Sequence, residues 1–375
     1  IIADAYVDKE FGTGCVKIGG TGGYTVPDGD ISAWTGTSIT FVLPAGVTGY
    51  GGLTTNGLIV YAAGVTDPNG LTFYIYPDIT SLTAPLGSNT GAREYAAADT
   101  DGIITITGNK FGTGPTGGSV VIVGGTVATL VADASCDAGD GWADTCIKIQ
   151  VPTTIADATD SGYIIITQGT GTNNKTTNAT DAQSAINIWP RVTGITAASF
   201  SDGGYQDGAF TLSGNHFGAT AGTITVNGVA QDGTPTWGAA SITGVGIPNT
   251  GADSGSIVLT KSDTKTSNSW ATFYIYPQIT GFTNTTDGAL TDGGRQAHII
   301  TISGNHFGAT GGNAQILINT VAPSATTPTW GAGSITNVDI SDAGADSGVI
   351  KITNPQTTKQ SNDSTAFYIY PTITS

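Results

Sequence analysis

The sequence predicts an all-β protein built from four tandem two-sheet sandwiches. Gly accounts for 56 of the 375 residues and only 11% of residues are charged. Short apolar runs alternate with Gly-, Asn- and Asp-rich turns, which is typical of many short strands. The same ordered set of strand and turn signals recurs along the chain, as expected for a repeat protein. Helix signals are nearly absent.

Each unit opens with a proline-containing strand that also closes the unit before it. The four copies are FYIYPDITSLT at Phe73–Thr83, INIWPRVTGIT at Ile186–Thr196, FYIYPQITGFT at Phe273–Thr283 and FYIYPTITS at Phe367–Ser375. We call the part of each copy that follows the proline the opener strand. The copies predict sandwiches at 1–77 (lacking its opener), 78–190 (with loop insertions), 191–277 and 278–370, and an orphan first strand at 371–375.

The next elements of each unit are a strand with one buried face and a hairpin. The strand ends in Gly-Asn-x-Phe-Gly in IITITGNKFG at Ile103–Gly112, FTLSGNHFG at Phe210–Gly218 and IITISGNHFG at Ile299–Gly308. Its Gly-Asn pair marks a turn in which a positive φ has little cost. The hairpin is clearest in VVIVGGTV at Val120–Val127 and TITVNGVA at Thr223–Ala230, because Gly-Gly and Asn-Gly are favoured two-residue turns.

A Trp precedes the next alternating strand in every unit, and a DSG-type turn introduces the strand after that in three units. The tryptophans are Trp34, Trp142, Trp237 and Trp330. Their repetition at one position favours packing of each indole within its own sandwich. The alternative is a sugar-stacking platform, which would need exposed, coplanar rings. The count is about seven strands per unit, as in a small β-sandwich.

This order of motifs resembles the IPT/TIG immunoglobulin-like domain family. The motifs are ITxxG-x-x-F-G, a Gly turn, W-x-x-x-x-I-x-V-x-x-P, DSG and FxYxP, and they cover essentially the whole chain in four copies. The match is weakest in the first unit, where AYVDKEFGTGCVKIGG at Ala5–Gly20 replaces the Gly-Asn-x-Phe-Gly segment. The resemblance implies sandwiches used for extracellular scaffolding, adhesion or accessory binding, without a catalytic site.

Composition and motif content exclude several classes of function. The net charge of −16 argues against nucleic acid and anionic membranes as partners. No stretch approaches the ~20 apolar residues of a membrane helix, so we expect no membrane insertion. The sequence contains no nucleophile–base signature and no phosphate loop, and Asp28–Ser32 and Cys136–Asp144 lack calcium-loop spacing. We therefore expect a protein that is not an enzyme and needs no cofactor or metal.

The three histidines are His216, His298 and His306. His216 and His306 occupy the motif position that holds Lys110 in the second unit. A position that accepts either His or Lys is more typical of a solvated turn than of a general base. We therefore predict no catalytic role for these residues.

Cysteine and asparagine patterns indicate an extracellular or cell-surface location. Cys136 and Cys146 flank a Gly/Asp-rich loop and are a candidate disulfide, which would need an oxidising compartment. Cys15 is left as either a buried free thiol or a cross-link to another chain. Four sequons are candidate glycosylation sites: Asn174, Asn178, Asn284 and Asn362.

The ends of the chain are out of phase with its repeat. The orphan strand comprises Tyr370, Pro371, Thr372, Ile373, Thr374 and Ser375. Ile373 corresponds to Ile79, Val192 and Ile279, which should point inward in the other openers. An unpaired sheet edge invites strand addition, so we expect this strand to complete the first sandwich of the next copy. A head-to-tail contact of this kind gives an extracellular or cell-surface structural filament.

Several alternatives stay open at this stage. One is that the chain is one period of a longer repetitive polypeptide, with covalent continuity in place of strand donation, or a fragment of a longer chain. Another is that the repeats form the stalk of a carbohydrate- or receptor-binding adhesin, or a phage fibre segment, with surface glycans as partners. A third is an accessory region of a secreted enzyme, which would require a catalytic domain that this sequence lacks.

Overall fold

A computed structural model describes most of the chain. The described residues are 14–18, 23–44, 47, 51–62, 65–66, 71–86, 91–97, 100–112, 114, 120–136, 139–156, 161–168, 175–178, 181–197, 200–248, 254–323, 326–340 and 346–373. Within these ranges the helical elements are three short 3₁₀ turns, Asp28–Asp30, Ala182–Ser184 and Asn313–Gln315. The chain divides into two compact units, Ile1–Trp189 and Pro190–Ser375, and each unit contains two sandwiches.

The first sandwich is built around one long strand. Its strands are β1 (Gly14–Ile18), β2 (Tyr24–Thr25), β3 (Ile31–Trp34), β4 (Ile39–Phe41), β5 (Gly51–Ala62), β6 (Val65–Thr66) and β7 (Leu71–Ile75). One sheet has the order β2-β1-β5-β6 with β7 also paired to β5, and β3 and β4 form a second sheet. Val16, Ile18 and Ile75 are among its buried core residues.

The second sandwich consists of two sheets in the described residues. Its strands are β8 (Asp78–Thr83), β9 (Gly91–Ala92), β10 (Ile103–Asn109), β11 (Val120–Val123), β12 (Thr126–Val127), β13 (Thr129–Leu130), β14 (Trp142–Ala143), β15 (Cys146–Gln150), β16 (Ser161–Gln168), β17 (Lys175–Thr176) and β18 (Ala185–Ile188). The sheets have the orders β13-β15-β10-β8 and β12-β11-β16-β18-β9, with β14 added to β15 and β17 to β16.

The third sandwich shows the repeat in its most regular form. Its strands are β19 (Arg191–Ala197), β20 (Gly203–Tyr205), β21 (Ala209–Asn215), β22 (Thr223–Val226), β23 (Val229–Ala230), β24 (Thr236–Trp237), β25 (Ser241–Gly246), β26 (Gly255–Thr260) and β27 (Trp270–Tyr276). The sheet β19-β21-β25-β24 belongs to the same sandwich as the sheet β20-β27-β26-β22-β23. The second sheet begins with a short strand, β20, that runs parallel to β27. This topology is immunoglobulin-like.

The fourth sandwich repeats this arrangement with shorter strands. They are β28 (Gln278–Asn284), β29 (Gly293–Gly294), β30 (Ile299–Asn305), β31 (Ile316–Ile318), β32 (Thr329–Trp330), β33 (Ser334–Asp339), β34 (Ile350–Ile352) and β35 (Tyr368–Ile369). The main sheet has the order β28-β30-β33-β32, and the pairs β29–β35 and β31–β34 correspond to parts of the second sheet of the third sandwich.

Alternation along the strands produces the cores. In β10 the buried residues are Ile104 and Ile106, and in β30 they are Ile300 and Ile302, all fully buried. Each apolar side chain of this size that is buried contributes roughly 1.5–3 kcal/mol. One hydrophobic cluster lies in each sandwich, so each sandwich has a core of its own.

The Gly-Asn-x-Phe-Gly motif locks each opener strand to its neighbour. A Cβ placed at Gly108, Gly214 or Gly304 would lie 2.0 Å from a carbonyl oxygen of the opener. The same Cβ would meet the ring of the motif Phe, which is fully buried in all three copies. The glycine therefore allows the opener to approach closely enough for the Phe to fill the space beneath it.

The structure confirms the predicted all-β fold of tandem immunoglobulin-like sandwiches. The predicted absence of an opener from the first sandwich concerns residues before Gly14, which lie outside the described residues. Within each compact unit the sandwiches follow one another closely. Tyr276 ends the third sandwich and Gln278 begins the fourth, with Pro277 alone between them.

Candidate functional site

The candidate site is the junction through which one sandwich receives the opener strand of its repeat. In the fourth sandwich the side-chain amide of Asn362 holds the backbone of Ile279. Its Oδ1 accepts the Ile279 N–H at 2.7 Å, and its Nδ2 donates to the Ile279 carbonyl at 3.1 Å. Asn268 makes the same pair of bonds with Val192 in the third sandwich, at 2.8 and 3.1 Å.

A hydroxyl residue precedes each of these asparagines and anchors the loop that carries it. Ser267 Oγ accepts the N–H of Leu259 at 3.0 Å, and Ser361 Oγ accepts that of Ile352 at 2.9 Å. Thr177 Oγ1 accepts a backbone N–H of β16 in the second sandwich in the same way. These hydroxyl groups pair with backbone N–H groups of the neighbouring strand and fix the loop to it. In the third and fourth sandwiches the loop therefore holds Asn268 or Asn362 against the opener.

A lysine two residues before the hydroxyl residue reaches back to the preceding FYIYP strand. The Lys359 Nζ lies 4.1 Å from the ring centroid of Tyr274 and 5.5 Å from that of Tyr276. In the first compact unit, the Lys175 Nζ lies 3.6 Å from the Tyr74 centroid. Cation–π contacts of this length are favourable. Lys265 differs because it forms an ion pair with Asp263 at 2.8 Å.

Together these residues define a Lys-x-Ser/Thr-Asn clasp, shown with all three contacts in the fourth sandwich, that the sequence interpretation missed. The copies of the pattern are KTTN at 175–178, KTSN at 265–268 and KQSN at 359–362. The signal was present as a further repeated motif, but each copy lies in a polar stretch that resembles an ordinary loop.

Charge and aromatic contacts extend the clasp between the third and fourth sandwiches. Tyr276 donates its hydroxyl hydrogen to Asp202 Oδ1 at 2.7 Å, and its ring stacks on Phe200 with centroids 3.7 Å apart. Lys359 binds the other carboxylate oxygen of Asp202. The hydrogen bond from Lys359 lowers the pKa of Asp202, and the same bond raises the pKa of Lys359. Burial, followed by the bond to Asp202, raises the pKa of Tyr276.

These shifts predict the pH range in which the clasp stabilises the junction. The contribution of Asp202 is complete above the ordinary carboxyl value of 3.8 and is lost as pH falls through its lowered pKa. The contribution of Lys359 is complete below 10.5 and is lost as pH rises through its raised pKa. We expect Lys359→Gln to move the Asp202 titration back toward 3.8 in carboxyl-detected NMR. An Asp202 titration that is identical in the two proteins would contradict the ion pair.

Removing the clasp asparagine should destabilise the opener of the fourth sandwich. We expect Asn362→Ala to cost about 2–4 kcal/mol, because it removes two hydrogen bonds and leaves the Ile279 N–H and carbonyl unpaired. Hydrogen exchange followed by mass spectrometry on peptides from β28 and β30 measures this effect. Thr365→Ala is the control, because the Thr365 side chain is exposed. The hydrogen bond from Ser364 reaches the backbone carbonyl of Thr365, which the substitution leaves in place. Equal protection in the two variants would refute the role of Asn362.

The orphan opener leaves its sandwich and enters solvent. Tyr370 is still tied to the fourth sandwich, since its N–H donates to the Gly294 carbonyl at 2.8 Å and its hydroxyl donates to Asp292 at 2.8 Å. Pro371 and Thr372 are exposed, and the Arg295 guanidinium donates to the Pro371 carbonyl. Ile373 is 94% exposed. Thr374 and Ser375 lie outside the described residues.

Exposure of Ile373 contrasts with burial at the same position in the other openers. Ile79 is 3%, Val192 1% and Ile279 6% exposed. Each of these three belongs to the hydrophobic core of the sandwich that it opens.

The first sandwich exposes apolar residues that are buried in the other three. Leu43 is 37% exposed, whereas its counterparts Val151, Ile247 and Ile340 are at most 1% exposed. Among the described residues β4 pairs only with β3, whereas its counterparts β15, β25 and β33 each also pair with a second strand, β10, β21 or β30. β10, β21 and β30 are also the strands with which the openers pair. Their counterpart in the first sandwich falls before Gly14, outside the described residues.

Two of the three cysteines, Cys136 and Cys146, lie in the second sandwich and form a disulfide with Cα atoms 5.0 Å apart. The loop between them carries Trp142, which is buried and donates its indole N–H to the Phe111 carbonyl at 2.9 Å. The disulfide therefore holds a loop that closes one side of the core. The Cys15 side chain lies outside the described part of the structure.

The side-chain amides of two of the four candidate glycosylation sites are hydrogen-bonded to backbone groups in the structure. Asn284 is 3% exposed and its Nδ2 donates to the Gly293 carbonyl at 3.1 Å, while its Oδ1 accepts the N–H groups of Thr286 and Asp287. A glycan would displace these bonds and those of Asn362 in the clasp. Asn178 is exposed, and Asn174 lies outside the described residues.

The tryptophans pack on the cores. Trp142 is 1% exposed, and Trp34, Trp237 and Trp330 are half-buried against the clusters of their own sandwiches. These positions favour the structural interpretation of the repeated Trp.

The prediction of a solvated turn at Lys110 and His216 is wrong. The turn is present, with φ values of 62° and 57°, but the two side chains are buried. The Lys110 ammonium donates to the Val47 carbonyl of the first sandwich. This turn therefore joins neighbouring sandwiches within the first unit. Such a contact is not visible in sequence, because it depends on packing between sandwiches.

The described residues contain no group of three His, Cys, Asp or Glu side chains arranged to hold a metal ion. None of the helices in these ranges has the length and apolarity needed to cross a membrane.

Comparison with known proteins gives only remote similarity. No protein-family model matches the sequence. No curated protein matches it either. One similar solved structure is a complex with xylogluco-oligosaccharide (15% identity, TM-score 0.27), with 78% of this chain and 60% of the other covered. Another is the Bacteroides ovatus mixed-linkage glucan utilization locus protein SGBP-B with a mixed-linkage heptasaccharide (13%, TM-score 0.22, 80% and 71% covered). A third is the Plexin A4 extracellular region (11%, TM-score 0.21, 80% and 25%).

The chain spans about 60% of the first of these structures and 49% of a Bacteroides uniformis SGBP-B that is also similar. With TM-scores this low, the fold is assigned here from the sheet topology and not from the similarity.

Proposed function

We propose that this protein is a structural subunit of an extracellular or cell-surface filament made of IPT/TIG-like sandwiches. In this proposal the segment Tyr370–Ser375 of one copy completes the first sandwich of the next copy. The observation that carries the proposal is the 94% exposure of Ile373, a residue whose counterparts in three other openers are at most 6% exposed.

In the other sandwiches the opener pairs with β10, β21 or β30, and one of its side chains joins the core of the sandwich that it opens. In the proposed contact Ile373 takes this position in the first sandwich of the next copy. Burying Ile373 there would contribute roughly 1.5–3 kcal/mol, and each backbone hydrogen bond on the order of 1 kcal/mol. The total is offset by the entropy lost on association, so adjacent domain surfaces would add to the contact.

The Cys136–Cys146 disulfide supports the extracellular or cell-surface location in this proposal, because such bonds persist in oxidising compartments. The role proposed is structural. It requires no catalytic residues, cofactor or nucleic acid, and its partners are further copies of the chain.

The proposal is tested on purified material by electron microscopy and denaturing electrophoresis. We expect filaments that dissolve into one species near the chain mass of 37.7 kDa. A covalently continuous polypeptide would instead give a much larger band and would overturn the proposal. Deleting residues 370–375 should remove the filaments while the circular dichroism of the sandwiches is retained. Filaments that survive this deletion would exclude the donor strand.

The alternative is a carbohydrate-binding adhesin stalk of the same repeats. A platform of stacked Trp is not favoured, because Trp142 is buried and the other three repeated Trp are half-buried against the cores. The observation that favours carbohydrate binding is a separate cleft between the third and fourth sandwiches.

A further inference from the structure

A cleft of about 660 Å³ lies between the third and fourth sandwiches. Its volume is within the ~300–1,000 Å³ range of ligand sites, which often occur between domains. The third sandwich contributes Ser254, Thr272 and Tyr274, and the fourth contributes His306, Gln356 and Thr357. The two walls belong to one compact unit.

The wall from the fourth sandwich is a rigid turn. The Asn354 Nδ2 donates to the His306 carbonyl at 2.8 Å, and its Oδ1 accepts the N–H of Gln356 at 2.9 Å. The Gln356 Nε2 donates to Thr310 Oγ1 at 3.1 Å. These bonds fix the positions of the polar groups before any ligand arrives, which lowers the entropic cost of binding.

The floor beside this turn is kept open by a glycine. Gly308 has a φ of 95°, and a Cβ there would lie 2.1 Å from Gln356 Oε1. Ala309 and Ala332 complete this side with small apolar groups. A larger side chain at these positions would occupy the cleft.

The wall from the third sandwich offers hydroxyl groups around an aromatic ring. Ser254 Oγ accepts the N–H of Ile275 at 3.0 Å, so its hydroxyl hydrogen can donate in another direction. Thr272 is exposed at the rim. Tyr274 is held by Lys359, and its ring offers an apolar surface to the C–H groups of a sugar.

We propose that this cleft binds a neutral oligosaccharide. The described residues that line it carry hydroxyl, amide and imidazole groups and include no carboxylate or ammonium. The nearby Lys359 ammonium lies against the Tyr274 ring and is paired with Asp202. A charged ligand would lose hydration without gaining an opposite charge. A purely apolar ligand would bury the same hydroxyl and amide groups without hydrogen bonds. A neutral, polyhydroxylated chain satisfies these groups and places its C–H faces on the aromatic and alanine surfaces.

The inference is independent of the proposed filament, because both walls belong to a single copy. Binding is measured by isothermal titration calorimetry on the full chain carrying Ile373→Asp. We expect this substitution to keep the protein unassembled during the measurement. The probes are cellohexaose, xylohexaose, mannohexaose and maltohexaose, with oligogalacturonate as the charged comparison. We expect at least one neutral probe to bind and oligogalacturonate to bind more weakly.

Two variants locate the binding. Ala309→Trp should weaken the neutral probe at least tenfold by filling the cleft, and Thr272→Ala should weaken it about threefold from the opposite wall. Ala289→Trp is the matched control, since Ala289 is exposed and is not among the residues that line the cleft. Circular dichroism verifies that each variant is folded.

Three outcomes would overturn the inference. They are no binding by any neutral probe, equal or tighter binding of oligogalacturonate, and binding that is unchanged in both Ala309→Trp and Thr272→Ala.

Discussion

Replacing Ile373 with Asp is expected to abolish head-to-tail association of the subunit. In the proposed contact this side chain enters the core of the next first sandwich, as Ile79 does in the second. The change removes roughly 1.5–3 kcal/mol of apolar burial and places a charge where water is excluded. We expect a loss of about 3–5 kcal/mol, which is roughly a 10²- to 4 × 10³-fold weaker association constant. Analytical ultracentrifugation and electron microscopy measure it.

Matched substitutions separate the proposed contact from a general effect of charge. Ile373→Val keeps an apolar side chain and should still assemble. Val127→Asp places the same charge on an apolar residue of the second sandwich that is 58% exposed, and it should leave assembly unchanged. Filaments of normal length from Ile373→Asp subunits would disprove the contact.

The second large effect is expected at Gly304. A Cβ at this position would lie 2.0 Å from the Gln278 carbonyl oxygen and 2.4 Å from the Phe307 Cζ. Both neighbours are fixed, one in the opener backbone and the other in the core. Gly304→Ala should therefore separate β30 from β28 and destabilise the fourth sandwich by more than about 3 kcal/mol.

Gly281 supplies the control for this prediction. It lies in the same sheet, and a Cβ there would meet nothing within 4 Å. Gly281→Ala should be neutral or stabilise the sandwich by about 0.4–1 kcal/mol, because it restricts the unfolded chain. Urea unfolding followed by hydrogen exchange in β30 and β33 compares the two. Equal stability of the variants would show that the glycine is not required by packing.

The alternation of apolar residues and the turn motifs predicted the strands and turns, because these elements depend on neighbouring residues in the sequence. The alternation in ITITG and ITISG placed Ile104, Ile106, Ile300 and Ile302 in the cores, where they are fully buried. The sequence also indicated a turn at each Gly-Asn. It could not show why the glycine is needed, because the carbonyl that it approaches belongs to a strand about 25 residues away.

The burial and hydrogen bonding of individual polar side chains were the part that sequence could not supply. His216 and Lys110 look like turn residues and adopt turn backbone, but packing buries them. Asn284 and Asn362 have the sequon pattern, yet their amides bind backbone groups. A three-residue pattern carries no information on burial. The clasp was readable in principle, since a Lys-x-Ser/Thr-Asn repeat in three copies is unexpected for solvated loops.

Passage from one sandwich to the next through Pro277 alone has a consequence for resistance to proteolysis. A protease binds its target as several consecutive residues of free, extended backbone. No such stretch separates β27 from β28, and the proline itself fits few cleavage sites. Digestion would have to begin within the surface turns of a sandwich, where the cut ends remain attached to a folded core. Such a chain can be cut once and remain associated under conditions in which domains joined by flexible linkers would be separated.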